Sequence, residues 1–321
     1  MITQLLLERF KSIRQLTLKC RRINLFIGKP NTGKSNILEA LGLLSWLGNS
    51  GHGDALKQYV RCEGLQNLFY DHLVDDPLRV ECKGDPAFAL QIAWKDNAFH
   101  LLCNSAAHGT MSYHAEGHFL AMPTVAPIKL YRYRAVERYR VEGPGTLRTP
   151  DGANLVSVIF GSKALREWLG ELYHPYGLTA VLKPHEQAIE LQKQHDGIVI
   201  SYPLSTTSET LRRILFYHVA MQSNENAVLV FEEPEAHAFP YYTKHLGECI
   251  AVDASNQYFI ATHNPYLLLA ILEKAPQQDV AVYATNYVNY ETTATLLTED
   301  QMSRILEADP FLSLDAILER P

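Results

Sequence analysis

Gly28-Lys29-Pro30-Asn31-Thr32-Gly33-Lys34-Ser35 is the stretch that decides how this chain is read. It fits the pattern G-x-x-x-x-G-K-S. In such a loop the glycines let backbone N–H groups curl around phosphates, and the following helix N-terminus adds a favourable dipole. Lys34 reaches the terminal phosphates, and the Ser35 hydroxyl can take Mg²⁺. The flanks agree with the motif. Ile23 to Ile27 reads as a short buried strand, and Asn36 to Leu47 reads as an amphipathic helix that ends near Gly48. Strand, glycine loop and helix follow one another in the order a phosphate site needs, so Gly28 to Asn36 are the expected phosphate-contacting residues.

Two further runs carry chemistry. Ala227 to Phe231 reads as a buried strand ending in Glu232-Glu233-Pro234, and such a strand lies beside the phosphate loop in folds of this kind. Glu232 is then placed to support a metal-bound water and Glu233 to activate an attacking water. Tyr258 to Ala261 reads as another strand, and His263, in Ala261-Thr262-His263-Asn264-Pro265, follows its carboxyl end. A histidine there can donate a hydrogen bond to a terminal phosphate or to the attacking water.

Working outward, Ile2–Leu7 and Ile13–Leu18 read as two strands joined through a bend at Glu8 to Ser12. From about Gly51 to Ala126 short runs alternate with turn residues, which predicts a β-rich elaboration. Residues 154–172 have helical spacing interrupted at Gly161-Ser162, a small helical arm. Strands are then expected at 179–182, 188–192 and 198–202, a helix from about Ser208 to Gln222, and a strand at Val280 to Ala284. Strands and helices alternating at this rhythm predict a mainly parallel α/β sheet covered on both faces.

A chain of 321 residues with 47% hydrophobic and 20% charged residues can bury a real core. Its net charge of -6 and pI near 6.1 exclude a protein that coats nucleic acid over its whole surface and leave room for a local basic patch. The five cysteines, Cys20, Cys62, Cys82, Cys103 and Cys249, form no C-x-x-C pair, which fits a reducing, cytoplasmic setting. Neither a signal sequence nor a run of about 18 apolar residues is present, so a soluble protein without membrane contact is expected.

The phosphate loop, Glu232-Glu233-Pro234-Glu235-Ala236-His237 and Ala261-Thr262-His263-Asn264-Pro265 together resemble the ABC-type ATPases of the RecF, SMC and OLD (overcoming lysogenization defect) group. Phe10-Lys11-Ser12-Ile13 is similar to that group's first strand turn, which often contacts nucleotide. The matching motifs reach from the first strands to about residue 270 and cover residues 50–150 only loosely. The resemblance implies an ABC-ATPase-like P-loop fold over the whole chain, with an antiparallel β subdomain (51–150) and a helical arm (151–178). The signature, acidic strand and switch histidine then fall in 179–321. ATP and Mg²⁺ are the implied ligands. Lys34 and Ser35 would bind phosphate and metal, Glu232 would support the metal, Glu233 would be the general base and His263 the switch histidine. Lys11 would touch nucleotide, and Gln66 is a candidate metal sensor, although core packing explains it as well. The resemblance also implies a head-to-head homodimer that sandwiches two ATP molecules.

The signature segment departs from the family pattern. Leu204-Ser205-Thr206-Thr207-Ser208-Glu209-Thr210 contains no glycine where the family uses serine plus glycine to approach the partner's nucleotide. Ser208 is left either as a phosphate contact or as a helix cap. Relatives often carry a TOPRIM nuclease domain, and fewer than sixty residues follow His263, so a nuclease or toxin activity is expected from a partner effector protein.

Tyr131 to Arg140 interleaves cations with aromatics. It reads either as a DNA or RNA surface built on Arg132, Arg134 and Arg138 or as a strand with one basic face. The leading function is an ATPase acting on nucleic acid or controlling a partner, of the DNA-repair or anti-phage-defence type. A nucleotide-sensing interaction protein with negligible turnover is the alternative, and a small-molecule kinase is a third that the Glu232-Glu233 pair disfavours.

Overall fold

The first two strands, β1 (Ile2–Phe10) and β2 (Ile13–Lys19), form a hairpin whose bend puts Arg9 and Lys11 at positive φ. β3 (Ile23–Ile27) follows and is buried at all five positions. It leads through the glycine loop into helix α1 (Lys34–Asn49). A computed structural model describes residues 1–49, 56–85, 87–105, 109–114, 127–136 and 138–307. The chain divides into two compact units. One is made of Met1–Leu130, Asn226–Glu233 and Gly247–Pro321, the other of Tyr131–Glu225 and Pro234–Leu246.

The first unit holds two sheets. β4 (Leu78–Gly84), β5 (Phe88–Lys95), β6 (Ala98–Ser105) and β7 (Gly109–His114) pair antiparallel in succession, and β4 joins β1. The β-rich stretch is therefore one six-stranded sheet, β2-β1-β4-β5-β6-β7, that includes the chain's first hairpin. Residues 50–55 and 115–126 of that stretch lie outside the described residues. The other sheet has the order β15-β14-β3-β13-β12-β8. Its members are β8 (Ile128–Tyr131), β12 (Val228–Glu232), β13 (Gln257–Ala261), β14 (Val280–Val288) and β15 (Glu291–Leu296), with β3 at the centre. β12, β13, β3 and β14 run parallel, and β15 returns antiparallel to β14. The Gln257 side chain ties the two sheets together, accepting from the Ile2 N–H (2.8 Å) and donating to the Ile2 carbonyl (2.7 Å).

Helix α1 differs from its amphipathic expectation. Every residue from Ile37 to Leu47 that has a side chain is buried, Glu39 included, because the helix touches β12 and β13 of one sheet and β1 of the other. A helix between two layers has no solvent face to keep polar.

The second unit contains α2 (Leu155–Gly161) and α3 (Lys163–Tyr173), broken where Ser162 caps α3 by accepting from the Leu165 N–H (3.4 Å). The antiparallel sheet β9 (Thr179–Lys183), β10 (Ala188–His195) and β11 (Ile198–Pro203) follows, then α4 (Glu209–Gln222). α5 (Pro240–Val252) starts in this unit and ends in the first. α6 (Pro265–Lys274) and α7 (Glu299–Glu307) belong to the first unit. No helix among the described residues is long and apolar enough to cross a membrane.

Leu41 in α1 is fully buried, whereas Val199 on the β11 edge is 62% exposed. Leu41→Ala is therefore expected to lower the unfolding free energy by about 2–5 kcal/mol. Val199→Ala should change it by roughly 0.5 kcal/mol or less. Urea unfolding monitored by circular dichroism checks both values.

Candidate functional site

The loop between β3 and α1 is held open by two glycines in left-handed backbone. Gly28 has φ +149° and Gly33 φ +91°. A Cβ on Gly28 would lie 2.5 Å from the Thr285 carbonyl oxygen, and one on Gly33 would lie 2.0 Å from the Thr292 hydroxyl. The loop is thus pressed against the β14–β15 hairpin, and only glycine fits at either point. Thr32 and Thr285 share a hydroxyl hydrogen bond of 2.7 Å, and Ser12 and Thr292 another of 2.6 Å. Asn36 Nδ2 donates to Ser12 Oγ (2.6 Å), which joins the start of α1 to the first hairpin.

Lys34 is buried, and its ammonium donates to the carbonyls of Gly28 (2.9 Å) and Lys29 (2.8 Å). Burial draws its pKa down to about 8, with the charge of Glu233 acting in the opposite direction. A cavity of about 330 Å³ opens over this loop, lined by Pro30 to Asn36 together with Ser12, Arg61, Glu233, His263 and Tyr287.

Local structure explains how Glu233 and His263 arrive there. Glu233 follows β12 directly in a left-handed conformation, φ +44°, with its N–H donating to the Ala261 carbonyl (2.9 Å). A glutamate in that region costs about 1–2 kcal/mol and persists where the Glu233 N–H stays bonded to the Ala261 carbonyl at the end of the β12–β13 pairing. His263 sits between β13 and α6. The Asn264 side chain caps α6 by accepting from the Tyr266 N–H (2.9 Å), and the Thr262 hydroxyl accepts from the Asn264 N–H (3.0 Å). His263 Nε2 lies 3.4 Å from Glu233 Oε1. Its pKa is lowered, mainly by burial and then by the Lys34 charge, with Glu233 pulling upward. The imidazole is accordingly neutral near pH 7, able to donate from one nitrogen and accept at the other.

The structure thus brings together Lys34, Ser35, Asn36, Glu233 and His263. Gly28 and Lys29 belong to the same loop, and Glu232, in register with Ala261, ends the adjoining strand. Lys11 lines the adjacent cavity and not this one: its ammonium pairs with the fully buried Glu39 and donates to the Arg61 carbonyl (2.7 Å). Gln66 is outside the cavity and donates to the His72 carbonyl (3.2 Å). Ser208 precedes α4 in the second unit and makes no side-chain capping bond. Of the two readings of Tyr131 to Arg140, the strand with one basic face is not what the backbone adopts, while Arg134 and Arg138 are exposed. β8 ends at Tyr131, and the segment's N–H groups then bond singly, Arg132 to the Pro150 carbonyl and Arg140 to the Ala153 carbonyl, so no ladder forms. Tyr131 is fully buried, which leaves it unable to stack on a base, and Glu137 lies outside the described residues.

Sequence reasoning missed Arg61, Ser12 and Tyr287. These three line the phosphate-loop cavity and also an adjacent one of about 620 Å³ that includes Lys11, Phe69 and His72. Arg61 Nε donates to Glu39 Oε1 (2.6 Å), and its pKa is raised by Glu39, Glu232 and Glu233 against the opposing effect of burial. Only Phe10 to Ser12 carried a local signal, the turn between two apolar runs.

No family model and no curated protein matches the sequence. Solved structures do match. A crystal structure of the SmcHead bound to the C-winged helix domain of ScpA superposes with a TM-score of 0.54 at 12% identity, over 94% of this chain and 99% of that one. An Smc head domain with an extended coiled coil, bound to the C-terminal domain of ScpA from Pyrococcus furiosus, superposes at 0.52 and 12% identity, over 95% and 98%. This chain has the fold of an SMC head. In that α/β, ABC-ATPase-like fold the parallel sheet places the glycine loop, the acidic strand end and His263 around one cavity.

The Lys34 ammonium is the charge that would meet a phosphate. Affinity for ATP should hold below about pH 8 and weaken as pH rises through it, roughly tenfold per unit until the complex's own pKa is reached. In Lys34→Arg the inflection should vanish, because a guanidinium does not titrate there. Equilibrium titrations between neutral pH and about pH 9.5 test this, and a flat profile for the parent protein would contradict it.

Proposed function

We propose that the chain is a Mg²⁺-dependent ABC-type ATPase. The observation that supports it is a single cavity lined by the phosphate loop, Glu233 and His263. The donor set suits a nucleotide triphosphate. The loop backbone has no room for side chains at Gly28 or Gly33, and Lys34 supplies a buried cation. Among the described residues no group of three or more His, Cys, Asp or Glu is disposed to hold a metal alone. Mg²⁺ normally keeps several waters and takes one or two protein ligands beside phosphate oxygens, and Ser35 and Glu232 would be those ligands. The metal would neutralise charge on the terminal phosphates.

The roles of this chain's residues follow from their positions. Glu233 takes the proton of the attacking water, and its bent backbone aims the carboxylate into the cavity. His263, neutral and 3.4 Å away, orients that water or donates to the terminal phosphate. Arg61 balances the carboxylates at the rim, and the adjacent cavity beside Tyr287 and Lys11 takes the nucleoside. The chain works as one ATPase domain in the cytoplasm, as a head-to-head homodimer, and drives a partner effector or acts on nucleic acid in DNA repair or defence. The fold likeness to SMC heads, two of them solved with ScpA domains, supports a partner protein.

A second reading, ATP as a conformational signal with negligible turnover, is favoured by the glycine-free segment around Ser208. Steady-state ATP hydrolysis separates the two. The ATPase reading predicts turnover that falls by roughly 10²–10⁴-fold in Glu233→Gln while ATP binding persists. Equal turnover in parent and variant would assign the base wrongly, and binding without turnover in the parent would favour the signalling reading.

A further inference from the structure

The second unit has a larger cavity of its own, about 760 Å³, within the range of roughly 300–1,000 Å³ usual for ligand sites. Its rim is aromatic and exposed: Tyr176 is 51% exposed, Phe239 65% and Tyr241 70%. Large rings left in water beside a concavity are uncommon on a surface without a binding role. Tyr241 and Tyr242 meet edge to face at 5.2 Å between centroids, and the Tyr242 hydroxyl is bonded to that of Tyr176, so the rings are held as a group. Lys193 of β10 also lines the cavity, with its ammonium 5.5 Å from the Tyr202 ring centroid, and is the charged residue among those lining it.

The remaining wall is the hydroxyl run before α4. The Thr206 and Thr210 hydroxyls donate to carbonyls of Pro203 (2.8 Å) and His237 (3.1 Å), which leaves their lone pairs as acceptors, and Ser208 makes no capping bond. Tyr173 is fully buried with its hydroxyl beside Thr207, whose own proton goes to the Leu204 carbonyl (2.7 Å). The hydroxyl oxygens of this run can still accept hydrogen bonds from a polar ligand edge.

These walls ask for a flat ring system, a hydrogen-bonding edge and one anionic group. An aliphatic peptide side chain satisfies only the first wall. We propose that this cavity binds a nucleobase with its phosphate, the base stacked on the exposed rings and the phosphate turned to Lys193. Such chemistry belongs to a nucleotide of single-stranded nucleic acid or to a free mononucleotide. It shares no residue with the phosphate-loop cavity and does not depend on hydrolysis.

The test is fluorescence anisotropy with a labelled single-stranded dodecathymidylate, without ATP, competed by AMP. The full chain should bind saturably. Phe239→Ala/Tyr241→Ala, at exposed positions, should weaken binding about ten- to a hundredfold with an unchanged melting temperature. Lys193→Gln should weaken it and flatten the salt dependence. Lys34→Ala should bind the oligonucleotide as the parent does. Competition by AMP at comparable concentration identifies the free nucleotide as the ligand, and its failure to compete identifies the polymer; either supports the site. Absence of saturable binding to both probes, parental affinity in the double variant, or loss of binding in Lys34→Ala would overturn it. The last outcome would locate binding at the phosphate loop and leave the ATPase reading intact.

Discussion

The constraint on which the site depends is the contact between the glycine loop and the β14–β15 hairpin. Gly28 and Gly33 both lie in left-handed backbone, and both face threonines of that hairpin at distances no side chain tolerates. The loop follows a fully buried central strand and feeds a helix buried between two sheets, so neither end of it can shift to make room. Backbone N–H groups are thereby fixed in position before any ligand arrives, which is the preorganisation an anion site needs.

Around that loop the charges are arranged in two layers. Lys34 and Glu233 occupy the cavity itself, where burial depresses the ammonium and His263 at once. Behind them Glu39, fully buried, pairs with both Lys11 and Arg61. Removing either cation would leave part of a buried carboxylate uncompensated, a costly state in a low-dielectric interior. Glu39 therefore fixes two cations at the border between the phosphate-loop cavity and its neighbour, one of which, Arg61, also senses the carboxylates of Glu232 and Glu233.

Much of this was legible in the residue order. Ile23–Ile27, Val228–Phe231 and Tyr258–Ala261 are short apolar runs next to motif residues, and each is a strand of the parallel sheet. The break at Ser162 was signalled by Gly161-Ser162, and Asn264-Pro265 is a helix start whose capping atoms can be named. β15 escaped notice because Glu291 to Leu296 is polar and threonine-rich, its place set by pairing with β14 rather than by hydrophobicity. Arg61 escaped because it acts through a contact with Glu39, 22 positions earlier, that no spacing rule encodes. Tyr131 to Arg140 misled because alternation of rings and cations resembles a strand, whereas its backbone groups find separate partners.

The account stands or falls on whether the preorganised loop holds a nucleotide. Isothermal titration of the purified full chain with ATP, with and without Mg²⁺, asks that directly. A saturable site that depends on Lys34 is expected, tightened by Mg²⁺ and displaced by ADP. A folded protein that shows no saturable binding of ATP in either condition would contradict it.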